Sequence, residues 1–191
     1  MWSGRRYPKA MGKVARVLFG LVLAAVPTRA QTDAHLYSPG TNLERSELAQ
    51  LETATRSVDV AMYSFTDREL AEELATLARK GVRVRVYRDR EQFQQEMQWG
   101  GVTTTSILSA AGIQVRIKGA RDLMHLKSYA IDGRLLRTGS ANWSPTGLKR
   151  QDNDVRYESS SEAVERFERK FEEMWVRAGN SAAGRTDSDS H

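Results

Sequence analysis

The sequence predicts an α/β fold, a single-domain α-β-α sandwich in which a mixed β-sheet lies between helices. Three observations lead to this prediction. Strand and helix patterns alternate between residues 57 and 117, an Asp132-Gly133 turn separates two further apolar runs, and an amphipathic helix follows the last strand. The length of 191 residues suits one domain with a core of ordinary size.

The first part of the domain is predicted as a strand, a helix and a second strand. The apolar run SVDVAMYSF, residues 57–65, is bounded by polar residues, which is typical of a buried strand. Thr66 and Glu69 form a capping-box pattern, and the helix that it opens ends at Gly81. From Val82 to Tyr87 apolar residues alternate with a period of two. This spacing predicts a βαβ unit with parallel strands.

The remaining elements flank this unit. Residues 31–42 are predicted as an irregular lead-in to a helix at 43–55, and the glutamine-rich segment 88–105 as a flexible lip before a short helix. The last predicted element is an amphipathic helix with Val164, Phe167 and Phe171 on one stripe. Four further strands are predicted, at Ile113–Ile117, His125–Asp132, Arg134–Ser140 and Asn153–Glu158.

The two ends of the chain have the composition of segments outside a folded domain. Residues 1–30 combine a basic start, a short apolar run and a small-residue cleavage site, which predicts a secretory signal peptide. The alternative is an uncleaved anchor, although the apolar run is shorter than a spanning helix needs. We therefore expect a domain at 31–178, a disordered tail at 179–191, and export to the periplasm or the medium.

Charge and composition exclude several classes of site. The net charge of +5 arises from residues 1–30, which carry six basic residues and no acidic one; 23 basic and 24 acidic residues remain beyond them. The chain has no cysteine, so a disulfide framework and a thiolate metal site are both excluded. Its three histidines are scattered at positions 35, 125 and 191, which excludes a zinc cluster within one chain.

The segment Met124–Asn142, here called the motif hairpin, carries the strongest chemical signal. On a strand, His125 and Lys127 point to the same side. The lysine charge favours a neutral imidazole, which is a nucleophile, and a lysine can hold a phosphate. The turn at Asp132-Gly133 returns the chain so that Ser140 and Asn142 approach His125. This combination suits phosphoryl transfer through a covalent intermediate without a metal.

The joint pattern H-x-K, four residues, D, six residues, G-S-x-N closely resembles the signature of the phospholipase D superfamily, whose members cleave phosphodiesters. The resemblance implies that His125 attacks phosphorus and that Lys127 and Asn142 bind the non-bridging oxygens. Ser140 would support them, and Asp132 would hold the hairpin. The family's carboxylate that orients the histidine is carried to Asp152, with Asp154 as the alternative. No cofactor and no metal are implied.

A single motif predicts a homodimer. Cleavage needs one group that attacks phosphorus and another that protonates the departing alkoxide. The chain offers one suitably placed histidine, so two-fold symmetry supplies the second from a second copy of the chain. The resemblance implies the same arrangement, because single-motif members of the superfamily pair across a two-fold axis and share a composite active site.

The substrate is less sharply defined by sequence. Eight basic residues against two acidic ones between Arg116 and Arg150, with Arg83 and Arg85 nearby, favour the backbone of DNA or RNA. Trp143 is a candidate for stacking on a base; the alternative readings are core packing for Trp143 and a solvated edge for the two arginines. The leading prediction is a sequence-nonspecific endonuclease. The alternatives are a phospholipase D, with Phe93, Met97 and Trp99 at a membrane interface, and a non-catalytic nucleic-acid-binding protein.

Overall fold

One mixed β-sheet organises the computed structural model, which describes Met1 and residues 33–183. Within these residues the sheet has eight strands in the order β1-β7-β6-β5-β2-β3-β4-β8. Strands β2, β3 and β4 are parallel, and every other neighbouring pair is antiparallel. The strands are β1 (Ala34–Ser38), β2 (Ser57–Met62), β3 (Arg83–Arg88), β4 (Gln114–Ile117), β5 (Lys127–Ile131), β6 (Leu135–Gly139), β7 (Asn153–Glu158) and β8 (Ser181–Ala182).

Helices cover both faces of this sheet, as predicted. The larger apolar core packs residues of α1, α2, α4 and α5 against one face, while α6 packs against the other with Phe171 and Trp175. This arrangement is the predicted α-β-α sandwich. The helices are α1 (Leu43–Leu51), α2 (Arg68–Arg79), α3 (Arg90–Trp99), α4 (Thr104–Ala110), α5 (Pro145–Lys149) and α6 (Ser161–Trp175).

The βαβ unit of β2, α2 and β3 is confirmed, with a shift at the start of its helix. Asp67, not Thr66, is the N-cap of α2, and its carboxylate accepts the backbone N–H of Leu70. The predicted capping box is therefore wrong, because the carboxylate one residue later caps the helix in its place. The helix ends before Gly81, whose φ of +90° favours glycine, as expected for a residue that follows a helix.

The turn of the motif hairpin forms where it was predicted. Asp132 and Gly133 both have positive φ, at 54° and 64°, and the strands on either side pair so that Ile131 lies opposite Leu135. Aspartate and glycine are the residues that adopt this backbone conformation at low cost. The turn therefore sets the register of β5 on β6 and so fixes which residues meet at the far end of the hairpin.

The segment predicted as a flexible lip, 88–105, contains helix α3. Asp89 caps this helix by accepting the N–H groups of Glu91 and Gln92. Behind the helix, the buried Arg88 guanidinium pairs with the buried carboxylate of Glu96. The helix itself was not predicted, because a buried ion pair rather than an apolar stripe joins this glutamine-rich helix to the sheet, and the predicted flexibility stays a prediction.

The structure adds strands at both ends of the predicted domain. Ala34–Ser38 pairs with β7 inside the expected irregular lead-in. Ser181–Ala182 pairs with the edge of β4, so the domain extends past residue 178 into the predicted tail. The rest of that tail and the predicted signal peptide lie outside the described residues, and export stays a prediction. Among the described residues, no helix has the length and apolar character needed to cross a membrane.

Candidate active site

The strand register brings most of the predicted site residues, though not Asp132, to the edge formed by one end of the neighbouring strands β5, β6 and β7. Tyr129 on β5 lies opposite Arg137 on β6, and Gly139 at the end of β6 lies opposite Val155 on β7. His125, which precedes β5, is therefore carried to the same edge as the segment that follows β6. The backbone N–H groups of Ser140 and Ala141 both donate to the carbonyl of Asp154, at 3.2 Å each, which closes this edge.

His125 and Lys127 form a direct pair. The Lys127 ammonium lies 3.0 Å from Nε2 of His125 and donates to the His125 carbonyl at 2.8 Å. The imidazole is exposed, whereas only 8% of Lys127 is exposed. Burial first, and the charge of Arg137 second, lower the pKa of Lys127. In the tautomer whose proton is on Nδ1, Nε2 accepts from the lysine, and an Nε2 lone pair is what makes an imidazole a nucleophile.

Tyr63 completes the immediate surroundings of the pair, and the sequence reasoning missed it. Its ring makes an edge contact with His125, with the ring centres 4.6 Å apart, and the Lys127 ammonium lies 5.0 Å from the centre of the same ring. Tyr63 directly follows Met62, the last residue of β2, and Met62 lies opposite Lys127 on β5. An aromatic residue just beyond a buried strand was the available signal, but only the pairing of β2 with β5 places it beside the histidine.

Ser140 and Asn142 follow β6 at the end of the hairpin from which β5 starts. Ser140 Oγ donates to Asn153 Oδ1 at 3.0 Å and accepts the backbone N–H of Asp154 at 2.9 Å. The side-chain oxygen of Asn142 is buried and has no hydrogen-bond partner among the described residues. Buried polar atoms in native proteins are almost always paired, so this oxygen is free to accept from a donor, while the Nδ2 group of the same amide is the part that can donate to a phosphate oxygen. The roles assigned to both residues stay predictions.

The two candidate carboxylates differ in their surroundings. Asp154 accepts the backbone N–H of Ser140 at 2.9 Å and contacts Nε2 of His35 at 2.9 Å. Burial acts to raise its pKa, but hydrogen bonds from Ser140 and His35 prevail and lower it. Asp152 is exposed and lines an open groove of about 380 Å³ with Ser140 and Asp154. Neither carboxylate hydrogen-bonds to His125 within the described part of the chain, so the assignment to Asp152 stays a prediction.

Asp132 lies at the opposite end of the hairpin, where it ties the turn to the start of β2. Its two carboxylate oxygens accept the backbone N–H groups of Thr55, Arg56 and Ser57 at 2.8–2.9 Å. Burial acts to raise the pKa of Asp132, but these N–H donors outweigh it and hold the pKa below its ordinary value. Since His125 and Asp132 are seven positions apart in largely extended chain, they are separated by roughly 20 Å. The geometry therefore supports a structural role for Asp132.

Trp143 is not available for stacking on a base. It is fully buried and packs edge-on against Phe65, with ring centres 4.9 Å apart, and it also contacts Tyr129. The prediction of a substrate-binding role is wrong, because the residue after Asn142 turns into the core between β2 and β5. This outcome is the alternative of core packing that the sequence left open.

Much of the predicted basic patch is also neutralised. Arg83 and Arg85 both pair with Asp59 on the α6 face of the sheet, at 2.9 and 2.7 Å. Arg137 is fully buried and bonded to Glu47. The local count of charges therefore overstated the free positive charge near the site. No group of three or more histidine, aspartate or glutamate side chains within the described ranges is placed to hold a metal ion.

Comparisons with known proteins agree on one family. Residues 48–175 match the family model described as "Cardiolipin synthase, PLD-like domain". Mitochondrial cardiolipin hydrolases from Homo sapiens and Chlamydomonas reinhardtii are 33% and 31% identical over 128 residues, or 67% of this chain. Those matches cover 49% and 55% of the two relatives, so the chain spans about half the length of the curated relatives it matches.

Solved structures give the same fold. Nuc from Salmonella typhimurium, a phospholipase D family member, has a TM-score of 0.69 at 19% identity, over 79% of this chain and 97% of that one. NucT from Helicobacter pylori has a TM-score of 0.71 at 22% identity, over 79% of this chain and 98% of that one. These two likenesses show the fold, and the resemblance predicted from the motif hairpin is confirmed by the family match.

Proposed function

Since the chain belongs to the phospholipase D superfamily, we propose that it is a phosphodiesterase that cleaves its substrate through a phosphohistidine at His125. The observation that carries this proposal is the contact of 3.0 Å between Nε2 of His125 and the Lys127 ammonium. It lies at the sheet edge where Ser140 and Asn142 converge. The relatives named cardiolipin hydrolase support a hydrolytic reaction on a phosphodiester.

The chemistry follows from this contact. When a phosphodiester enters, a non-bridging oxygen replaces the imidazole as the acceptor for Lys127, and Asn142 binds the other oxygen. Nε2 then attacks phosphorus, so that an N–P bond forms as the P–O bond to the leaving group breaks. Water later attacks the phosphohistidine, the N–P bond breaks, and the imidazole is restored. None of these steps requires a metal or another cofactor.

The leaving alkoxide needs a proton, and we propose that His125 of a second copy of the chain donates it. His35 is engaged with Asp154 and Tyr37 rather than with the motif hairpin. A two-fold dimer would place two copies of the His125 edge face to face, so that one imidazole attacks phosphorus while the other donates the proton. Mixing wild-type protein with a His125→Ala variant should lower activity per wild-type chain. Unaltered activity per wild-type chain would contradict the composite site.

The favoured substrate is a nucleic acid strand, DNA or RNA. His125 is exposed, and the groove beside Ser140 is open and lined by polar side chains, with no apolar tunnel for an acyl chain among its lining residues. Exposed Arg121 and Arg150 flank the ends of the motif hairpin and can neutralise backbone phosphates. Such contacts carry no base readout, which fits cleavage without sequence preference.

A phospholipid is the second candidate, because apolar side chains are exposed on the segments next to His125. Leu126 follows the histidine directly and is 38% exposed, and Leu123 is 46% exposed. Trp99 and Val102, at the end of α3, are each 70% exposed. Exposed tryptophan and aliphatic residues of this kind bind at the boundary between lipid headgroups and acyl chains.

One experiment separates the candidates. The purified protein is incubated in EDTA with plasmid DNA, with single-stranded RNA, and with vesicles containing phosphatidylcholine and cardiolipin. Cleaved nucleic acid with intact lipid supports the first proposal, whereas headgroup release without cleavage of nucleic acid reverses the order. A His125→Ala variant that binds DNA but does not cut it excludes a non-catalytic binding protein. Full cleavage by that variant would overturn the phosphohistidine mechanism.

A further inference from the structure

A buried arginine lies within the motif hairpin itself. Arg137, on β6, is fully buried, and its guanidinium donates to the carbonyl oxygen of Lys127 at 2.5 Å and to that of Ala141 at 3.0 Å. Its Nε donates to the carboxylate of Glu47, a fully buried residue of α1, at 2.6 Å. Tyr157 contacts the other oxygen of that carboxylate at 3.4 Å.

The two carbonyls belong to the two halves of the proposed active site. The first is the peptide oxygen of Lys127 itself, and the second lies between Ser140 and Asn142. The planar guanidinium has donors at fixed angles, so it sets the separation of the two peptide groups it bridges. Glu47 in turn fixes the guanidinium to α1, which packs outside the sheet. Side chains on two separate strands are thus positioned through one buried group.

A buried ion pair is weak support for stability in its own right. The cost of removing both charges from water is of the order of the attraction between them, and apolar residues of similar volume are often equally stable or better. In this protein the guanidinium of the Arg137–Glu47 pair contacts backbone carbonyls in and next to the site residues rather than distant parts of the core. A positioning role accounts for those contacts, and stability alone does not.

We propose that Arg137, anchored by Glu47, is a positioning residue that holds Lys127 and Asn142 at the separation needed to bind one phosphate group between them. The proposal rests on the phosphodiesterase function proposed above. The same charge has an electrostatic effect: after burial, Arg137 is the cause that lowers the pKa of Lys127. Removing it should therefore change both the geometry and the proton affinity of the lysine.

The test removes both members of the pair. In the double variant Glu47→Leu/Arg137→Met the volumes are roughly kept, so the fold should be retained, as measured by circular dichroism and urea unfolding. We expect kcat for bis(p-nitrophenyl) phosphate to fall about 100-fold, because small displacements of positioned groups cost that much. KM should change less, and the pKa of Lys127, followed by NMR of its ¹³Cε, should rise.

Two further variants serve as controls. Arg137→Lys keeps a cation beside Glu47 but cannot bridge both carbonyls, so it should lower kcat about 10-fold while the pKa of Lys127 stays low. The matched pair Asp59→Leu/Arg85→Met removes a largely buried ion pair on the opposite face of the sheet and should leave kcat and the Lys127 titration unchanged.

These measurements distinguish failure of the positioning role of Arg137 from failure of the proposed phosphodiesterase function. If the wild-type protein cleaves none of the phosphodiesters, the proposed function is wrong, and the Lys127 titration still reports on Arg137. If the wild type is active and the folded double variant retains its kcat and its Lys127 titration, the positioning role is wrong. Should the double variant not fold, Arg137→Lys decides: wild-type kcat in that variant overturns the proposal.

Discussion

Replacing Asp132 tests whether the aspartate at the turn of the motif hairpin is structural. Asp132→Ala removes the acceptor for three backbone N–H groups, those of Thr55, Arg56 and Ser57. Hydrogen bonds to a charged acceptor contribute about 1.5–3 kcal/mol each, and water can satisfy the donors at the exposed positions 55 and 56 in part. Alanine at a φ of 54° adds about 1 kcal/mol of strain. We expect a total loss of about 3–5 kcal/mol.

The assay pairs urea unfolding with cleavage of bis(p-nitrophenyl) phosphate at a temperature where both proteins are folded. Activity per folded molecule should stay within a few-fold of wild type, because Asp132 is roughly 20 Å along the strand from His125. Asp132→Asn, which keeps one acceptor oxygen and tolerates positive φ, should cost about half as much stability. A variant of unchanged stability whose kcat falls 1,000-fold would refute this reasoning.

The same residue predicts a pH dependence. Hydrogen bonding lowers the pKa of Asp132 in the folded protein, against the opposing effect of burial. The folded state therefore binds fewer protons than the unfolded state near the ordinary carboxyl pKa, and the stabilisation is present above that pH and lost as the pH falls through the folded value. Asp132→Asn should flatten the decline in unfolding free energy below about pH 4. If the unfolding free energy of the variant declined below about pH 4 as steeply as that of the wild type, Asp132 would not be the group responsible.

Three further substitutions test the surroundings of the site. Burial, and then the neighbouring Glu44, raise the pKa of Asp67 to about 6. The free energy of unfolding should therefore fall as the pH rises from about 4 to 6, which thermal unfolding at both ends of that range would show. Asp67→Asn should gain roughly 1–2 kcal/mol of stability at pH 7. Trp143→Ala should cost about 3–5 kcal/mol in urea unfolding and leave the Kd for DNA unchanged while folded, and weakened binding would restore a stacking role. Glu96→Gln should cost about 3–5 kcal/mol because Arg88 stays buried without its carboxylate, and protease nicking between residues 90 and 102 should increase.

The six strands β2 to β7 were predictable because their local pattern and their tertiary setting agree, whereas β1 and β8 lie in segments predicted as irregular. The apolar run at 57–65 contains β2, and Asn153–Glu158 is β7 with the predicted bounds. Helix α3 shows where that agreement fails. Its glutamine-rich sequence has no apolar stripe, and the pair of Arg88 with Glu96 that holds it joins a strand to a helix eight residues later. A charge in a sequence is ordinarily read as exposed, so a buried pair is invisible to pattern reasoning.

The candidate site was predictable to the extent that it is written on one hairpin. Strand alternation and the Asp132-Gly133 turn were enough to place the start of β5, with His125 and Lys127, at the same end of the hairpin as the segment that carries Asn142. Tyr63 comes from a different strand, and its place beside His125 depends on the pairing of β2 with β5. Trp143 was ambiguous because an aromatic residue next to a site motif has the same local sequence whether it faces the substrate or the core.

The hairpin that carries the site is held by polar side chains at three levels along its length. Asp132 ties its turn to the start of β2, Arg137 ties its middle to α1, and Asp154 ties its open end to β7 through the backbone of Ser140. Apolar packing alone allows small shifts between strands, whereas directed bonds to backbone groups do not. A reaction in which an imidazole, an ammonium and an amide must meet one phosphate depends on such fixed separations. We therefore expect loss of Arg137 to lower kcat strongly with little loss of stability, and loss of Asp132 to lower stability strongly with little loss of kcat.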